Sequence, residues 1–248
     1  MRKSKYSRIL YNKDLNTKGI IKAMSGEITR LVLQQKNKDR VSVFIDGEFA
    51  FGLYKETVLQ HGLRKGQTLT GSEITTLQTA DGFLAARAYA LRLLNMRAQT
   101  SAGLRRKILG KGFPEDAVDR IVAQLEERGF LNDAQFARQF AEERLRTKKH
   151  GAARIRIDLQ KKGIQREVIE MALQKVLKPD ETLETARELA KKQWRKLRRE
   201  PDVQKQRRRL FDFLIRRGYD PNTASTILRE GPPNEADKSI SDEEHPLP

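Results

Sequence analysis

Apolar residues recur along this chain with two different periods. Between residues 28 and 70 they alternate. Val41, Val43 and Ile45 take one face while Ser42, Phe44 and Asp46 take the other, which is the period of a strand. Asp46-Gly47 breaks the run. Both central positions of a type I′ turn need positive φ, so this pair predicts a hairpin, with Glu48–Leu53 as the returning strand. Lys55–Gln60 reads as a short helix stopped near Gly62, and Leu63–Leu69 as a turn and a short strand. From Ser72 to Leu228 the period is helical, punctuated by Gly112, Gly129, Gly151, Gly163, Pro179, Pro201 and Gly218.

The helical part repeats. Lys111-Gly112-Phe113, Lys162-Gly163-Ile164 and Arg217-Gly218-Tyr219 align on their glycines. Eight residues before the glycine stand Leu104, Ile155 and Leu210, and four before it Ile108, Leu159 and Leu214. These share one helix face. The glycine is the expected left-handed stop, with an apolar residue packing back after it. Six, nine and ten residues further on come Val118, Ile169 and Ala224, then Ile121, Ala172 and Ile227, then Val122, Leu173 and Leu228, one face of a following helix. Asp220 is a candidate N-cap for the last of these helices. A third helix precedes each pair. Its apolar stripe is read as Leu84, Ala88, Leu91 and Leu94 in the first unit, and as Phe136 and Phe140 after caps at Asn132 and Asp133 in the second. In the third it is Leu183, Ala186, Leu189, Ala190 and Trp194. Phe136, Phe140 and Trp194 are expected to be packing residues.

The predicted fold is mainly α: three tandem three-helix repeats forming an elongated curved rod, preceded by a small β-hairpin-containing module. The boundaries read as a flexible basic arm over 1–24, the β-rich module over 25–71, and repeats over 72–130, 131–178 and 179–230. A disordered acidic tail over 231–248 has five carboxylates against Lys238 and almost no large apolar residue.

Charge changes the functional picture. Fifty Lys and Arg against thirty-three Asp and Glu leave a net +17 over 248 residues, a surface that attracts polyanions. The basic residues cluster. One group is Arg105, Arg106, Lys107 and Lys111. A second is Arg144, Arg146, Lys148, Lys149, His150, Arg154 and Arg156. The third is Arg195, Lys196, Arg198, Arg199, Lys205, Arg207, Arg208, Arg209, Arg216 and Arg217, opposed only by Glu200, Asp202 and Asp212. Such a run repels itself without a partner, and guanidinium suits phosphate. Each group lies at the start or along the body of a middle helix, where the three could share one side of the stack. Few aromatics are available to stack on bases, so little sequence specificity is expected.

Other chemistries have little to build on. There is no cysteine, and the three histidines, His61, His150 and His245, are far apart. No phosphate-cradling or dinucleotide-binding glycine loop is present. Glu126-Glu127 and Glu142-Glu143 fall on charged helix surfaces. No catalysis, cofactor or metal is expected. No apolar run has the length of a membrane span and no signal peptide is visible, so the expectation is a cytoplasmic, monomeric protein without membrane contact.

Gly129-Phe130-Leu131-Asn132-Asp133-Ala134-Gln135-Phe136-Ala137 resembles the Gly-x-Leu-x-Asp-x-x-Phe-Ala signature of RecX, the bacterial regulator of the RecA recombinase. Ala90-Leu91-Arg92-Leu93-Leu94 followed by Arg97, and the glycine-anchored repeats, resemble it too. Arg40-Val41 through Phe49-Ala50-Phe51-Gly52 is similar to the N-terminal extension of RecX proteins from low-GC Gram-positive bacteria. The resemblance covers about residues 28–230. One departure is Arg97-Ala98-Gln99-Thr100, where the family usually has Arg-x-Arg-Ser. The resemblance implies binding along the groove of the RecA–DNA filament, restraint of its ATPase and strand exchange, and weaker, nonspecific contact with single- and double-stranded DNA. It also implies a place in DNA repair, homologous recombination and the SOS response. The competing reading is a direct DNA-binding protein using its three-helix units as helix-turn-helix modules. Against it, no single repeat carries a distinct base-reading helix.

Overall fold

The computed structural model describes residues 25–232. The arm read over 1–24, and the tail from residue 233 onward, lie outside the described residues. The chain forms two compact units: the first is residues up to 99 together with 103–131, the second Thr100–Ala102 together with Asn132 onward.

The first unit opens with a four-stranded antiparallel sheet of β1 (Gly26–Gln34), β2 (Asn37–Ile45), β3 (Glu48–Tyr54) and β4 (Thr68–Leu69), ordered β3-β2-β1-β4. The predicted hairpin is present. Ile45 pairs with Glu48, and Asp46 and Gly47 take φ of 50° and 89°. The turn is also tied to β1, since the Asp46 carboxylate accepts from the Glu27 N–H at 3.0 Å and the Gly47 N–H donates to the Thr29 hydroxyl at 3.0 Å. Helix α1 (Lys55–Gln60) follows β3. Ile28, Val43, Ile45, Phe51, Leu53, Leu63 and Leu69 make a core that is completed by Ile74 and Leu77.

Those last two residues belong to α2 (Gly71–Met96), which starts at a reciprocal capping box between Thr70 and Glu73. This continuous helix serves two cores, so the sheet module's packing runs two turns beyond residue 71. Its third turn carries Asp81, buried against the sheet. Asp81 accepts hydrogen bonds from the Tyr54 N–H, the Thr57 hydroxyl and the Arg40 guanidinium. The Arg40 guanidinium also donates to the Gly52 carbonyl at 2.6 Å and lies over the Tyr54 ring.

Helices α3 (Ser101–Leu109) and α4 (Glu115–Glu127) complete the first repeat. The second unit holds α5 (Asp133–Glu143), a π-helical turn (Arg144–Lys148), α6 (Ala152–Gln160), α7 (Arg166–Val176), α8 (Pro179–Leu197), α9 (Val203–Arg217) and α10 (Pro221–Glu230). The fold is therefore mainly helical, with a small antiparallel sheet followed by three three-helix repeats.

The repeat columns are realised in three dimensions. Leu104, Ile155, Leu210, Ile108, Leu159 and Leu214 are fully buried, as are Val118, Ile169 and Ala224. Phe113 and Leu228 are the half-buried members of their columns. Gly112, Gly163 and Gly218 all take left-handed φ, at 90°, 82° and 92°. After the latter two, the Ile164 and Tyr219 N–H groups reach back to the Leu159 and Leu214 carbonyls, the double-bonded stop that spares those carbonyls from going unpaired.

In the first repeat the opening helix corrects the expected phase, whereas in the third Ala186, Ala190 and Trp194 of the predicted stripe are buried. Where α2 packs on the core of the first repeat its buried residues are Ala86 and Ala90, while Ala88 is exposed and Leu91 and Leu94 pack from the flank. The same alanine pair recurs as Ala137 and Ala141 in α5 and as Ala186 and Ala190 in α8. A small side chain permits the closest helix approach, so the alanines take the centre and larger residues the sides. Phe136 and Phe140 pack against the second core this way, their rings stacked at 6.1 Å. Trp194 is buried in the third core.

Candidate functional site

Long basic side chains follow the helix ladder, and the fold decides which of them meet a carboxylate. Arg105 and Arg156 each stand seven residues before the repeat glycine. Arg105 donates to Glu115 and, at 2.6 Å, to Asp119. Arg156 makes two parallel bonds to Glu170, at 2.5 and 2.8 Å. These bonds hold the Asp119 and Glu170 carboxyls below their ordinary pKa. Both arginines thus tie a middle helix to the third helix of its own repeat. Phe211 takes that register in the third repeat.

Other candidates are also matched. Arg154 pairs with Asp158 at 3.5 Å, Arg209 with Glu200 at 2.8 Å, and Lys149 with Glu188. Arg144 pairs with Glu143 at 3.6 Å and lies over the Phe140 ring. Lys107 donates to the Gln99 side chain at 2.5 Å. Gln99 also donates to the Leu93 and Arg97 carbonyls, so the departure from the family's Arg-x-Arg-Ser pattern is absorbed here by a packed amide.

A different set carries no ion pair among the described residues: Arg106, Lys111, Arg146, Lys148, Arg195, Lys196, Arg199, Arg207, Arg208 and Arg216. Most of it belongs to the third repeat, at the end of α8, the start of α9 and the end of α9. Arg198 is exposed in the same stretch. Lys111 lies 5.9 Å from the centre of the Tyr89 ring, and Lys162 lies 5.1 Å from that of Phe140. In both repeats the lysine directly precedes the glycine and the ring stands 23 residues before it, a recurring cation–π contact.

Within the second unit the fold brings part of the second cluster against Arg217. The Gly151 N–H donates to the Arg217 carbonyl at 2.9 Å and the Ala153 N–H to the Gly218 carbonyl at 3.0 Å. The Arg217 guanidinium donates to the Lys148 carbonyl at 2.9 Å, and the Tyr219 hydroxyl to the Lys149 carbonyl at 3.0 Å. His150 sits among these groups. Burial lowers its pKa first and the nearby Arg217 charge adds to that, against a partial pull from Asp158. Thr100, in the second unit, takes the register of Gly151, twelve residues before a repeat glycine, and its hydroxyl donates to the Lys162 carbonyl at 2.8 Å. Tyr219 and Glu188 were not legible as partners of the basic cluster, since they stand 70 and 39 residues from Lys149.

Among the described residues no cluster of three or more His, Asp or Glu could hold a metal ion, and no helix is long and apolar enough to cross a membrane. The arrangement is that of a basic helical-repeat protein: three glycine-anchored units that follow a small sheet in the chain, with a dense group of unpaired cations in the last repeat.

Comparison with known proteins agrees along most of the described chain. The family described as regulatory protein RecX N-terminal domain matches residues 26–70. The first, second and third three-helix domains of RecX match 86–125, 132–173 and 180–228. The chain is 32% identical to the regulatory protein RecX of Clostridium perfringens (strain 13 / Type A) over 211 residues, covering 85% of this chain and 98% of the relative. It is 32% identical to that of Clostridium acetobutylicum over 205 residues, covering 82% and 95%. A crystal structure of regulatory protein RecX matches with a TM-score of 0.69 and 26% identity, over 82% of this chain and 98% of that one. RecX from Lactobacillus salivarius shares the fold, with a TM-score of 0.57 at 22% identity over 61% of this chain and 97% of that one. The chain belongs to the RecX family of regulatory proteins.

Proposed function

We propose that this protein is a non-enzymatic, cytoplasmic regulator of the RecA recombinase. It binds the RecA–DNA filament as a monomer and restrains the filament's ATPase and strand exchange. The observation that carries this reading is the ordered match of all four family domains along the chain. The unpaired guanidinium groups of the third repeat support a face turned toward a polyanion, since phosphate contacts supply affinity without base readout. Arg105 and Arg156 act chiefly as internal ties, and the binding role falls on Arg195, Lys196, Arg199, Arg207, Arg208 and Arg216.

The test is the single-stranded-DNA-dependent ATPase of the cognate RecA, titrated with this protein at fixed moderate salt. The comparison is a variant with Arg207→Glu and Arg208→Glu. Inhibition near or below stoichiometry, weakened in the variant, supports the reading. The same run of unpaired arginines favours one second reading, direct nonspecific DNA binding. Full binding to bare DNA with no effect on the ATPase would select it.

A further inference from the structure

The three first helices share an Ala-Arg pair: Ala86-Arg87, Ala137-Arg138 and Ala186-Arg187. In two of the repeats the arginine is neutralised from within. Arg138 pairs with Glu142 at 3.6 Å. Arg187 is gripped by Glu230, with bonds of 2.7 and 2.9 Å, and also meets Glu184. In the first repeat the acids are missing. Leu91 stands in the register of Glu142, and Gln124 stands twelve residues past its glycine, the register of Glu230. Arg87 accordingly has no ion pair among the described residues.

Arg87 instead borders a groove of about 130 Å³ within the first unit. Leu91, Leu125 and Phe130 line it together with Gln124 and Arg128. Phe130 is 60% exposed, yet its backbone is held, because its N–H donates to the Leu125 carbonyl at 2.8 Å. An exposed aromatic beside two arginines without an ion pair offers both apolar area and charge to a partner. The volume suits one apolar side chain.

The geometry points to this groove as a docking site for a protein segment that presents an apolar side chain next to a carboxylate. The carboxylate meets Arg87, whose register partner Gln124 carries no charge, and the apolar side chain rests between Leu91, Leu125 and Phe130. Arg128 meets a second acid. A nucleic-acid strand fits less well, because Glu126 and Glu127 directly precede Arg128 and oppose a continuous run of phosphates. The inference concerns this groove alone and does not rest on regulation of the recombinase.

The experiment is fluorescence anisotropy of the full chain with a labelled peptide, Gly-Glu-Leu-Phe-Asp-Gly, at low salt. Three controls accompany it: the peptide with Gln and Asn for the acids, the peptide with Ser for the apolar residues, and a labelled oligothymidylate. Saturable binding of the first peptide is expected, with about tenfold weaker binding for each peptide control. Arg87→Gln weakens it to the same extent. Gln124→Glu, a change on the protein surface that supplies the internal acid, blocks it without loss of helicity. Absence of peptide binding at millimolar concentration overturns the proposal. So does equal binding of the neutral peptide, or indifference to both Arg87→Gln and Gln124→Glu. Oligothymidylate binding that is lost in those same two variants reassigns the groove to nucleic acid and overturns it as well.

Discussion

Gly151 and Gly218 meet backbone to backbone. A Cβ built on either would be driven into the other's segment, at the Gly218 carbonyl in one case and the Arg154 N–H in the other. Neither neighbour is the end of a flexible side chain, so neither can give way cheaply. Gly151 is also buried, and its N–H is used by the Arg217 carbonyl.

Gly151→Ala is therefore expected to destabilise the second unit by about 1–3 kcal/mol through overpacking. The measurement is the urea midpoint, read with Trp194 fluorescence, since that side chain is buried in the third core. An unchanged midpoint would show that the two segments separate freely.

Ala86 and Ala88 differ by two positions but lie on opposite sides of α2. Ala86→Leu should cost about 1–3 kcal/mol, because the helix approach leaves no room for three more carbons. Ala88→Leu faces solvent and should change stability by less than about 0.5 kcal/mol. Thermal unfolding of the two variants checks the helix phase directly. Equal effects would return the buried face to the stripe read from Leu84, Ala88, Leu91 and Leu94.

Asp81 supplies a pH-dependent element to the sheet module. Burial raises its pKa above the ordinary aspartate value of 3.8, against the lowering effect of the Tyr54 N–H and Arg40. A raised carboxyl pKa means that the folded state holds this proton more tightly than the unfolded chain. The contribution of Asp81 to stability thus falls as pH rises from about 3.8 through the raised value. Asp81→Asn removes that dependence and keeps an acceptor for Tyr54. Asp81→Ala leaves a largely buried Arg40 charge without its acid and should cost about 3 kcal/mol. Denaturant titrations of the three proteins between pH 3 and 7 would show it. A flat difference between wild type and Asp81→Asn across that range would refute it.

The basic surface makes a prediction about salt. If Arg207 and Arg208 each neutralise a phosphate, their joint change to glutamine lowers the slope of log affinity against log salt by about 1.4 on single-stranded DNA. Arg105→Gln and Arg156→Gln should leave that slope nearly unchanged, because their charges are already met by Asp119 and Glu170. Filter binding over a salt series separates the two sets. A larger slope change in the second pair would move the surface to the middle helices of repeats one and two.

Much of this was legible in the sequence because it is local or repeated. The Asp46-Gly47 turn follows from backbone sterics. The columns through Leu104, Ile155 and Leu210 follow from a helical period sampled three times, which cancels the ambiguity of any one copy. The phase of α2 was misread because leucines near 91 and 94 outweigh two alanines on any hydrophobic count. The alanines win burial through small size, which matters only once another helix is placed beside them.

Sequence by itself determined the repeat, its glycine stops, the hairpin and the excess of positive charge, since each depends on neighbours within a turn or two or on simple counting. Tertiary structure decided which charges remain available. Arg156 and Arg208 look alike in the sequence, but Glu170 is fourteen residues from the first and meets it only when two helices pack. Arg187 has Glu184 nearby in sequence, but its main partner is Glu230, forty-three residues away, which reaches it only when two helices pack. Pairing across helices is set by packing geometry, and no local pattern along the chain encodes it.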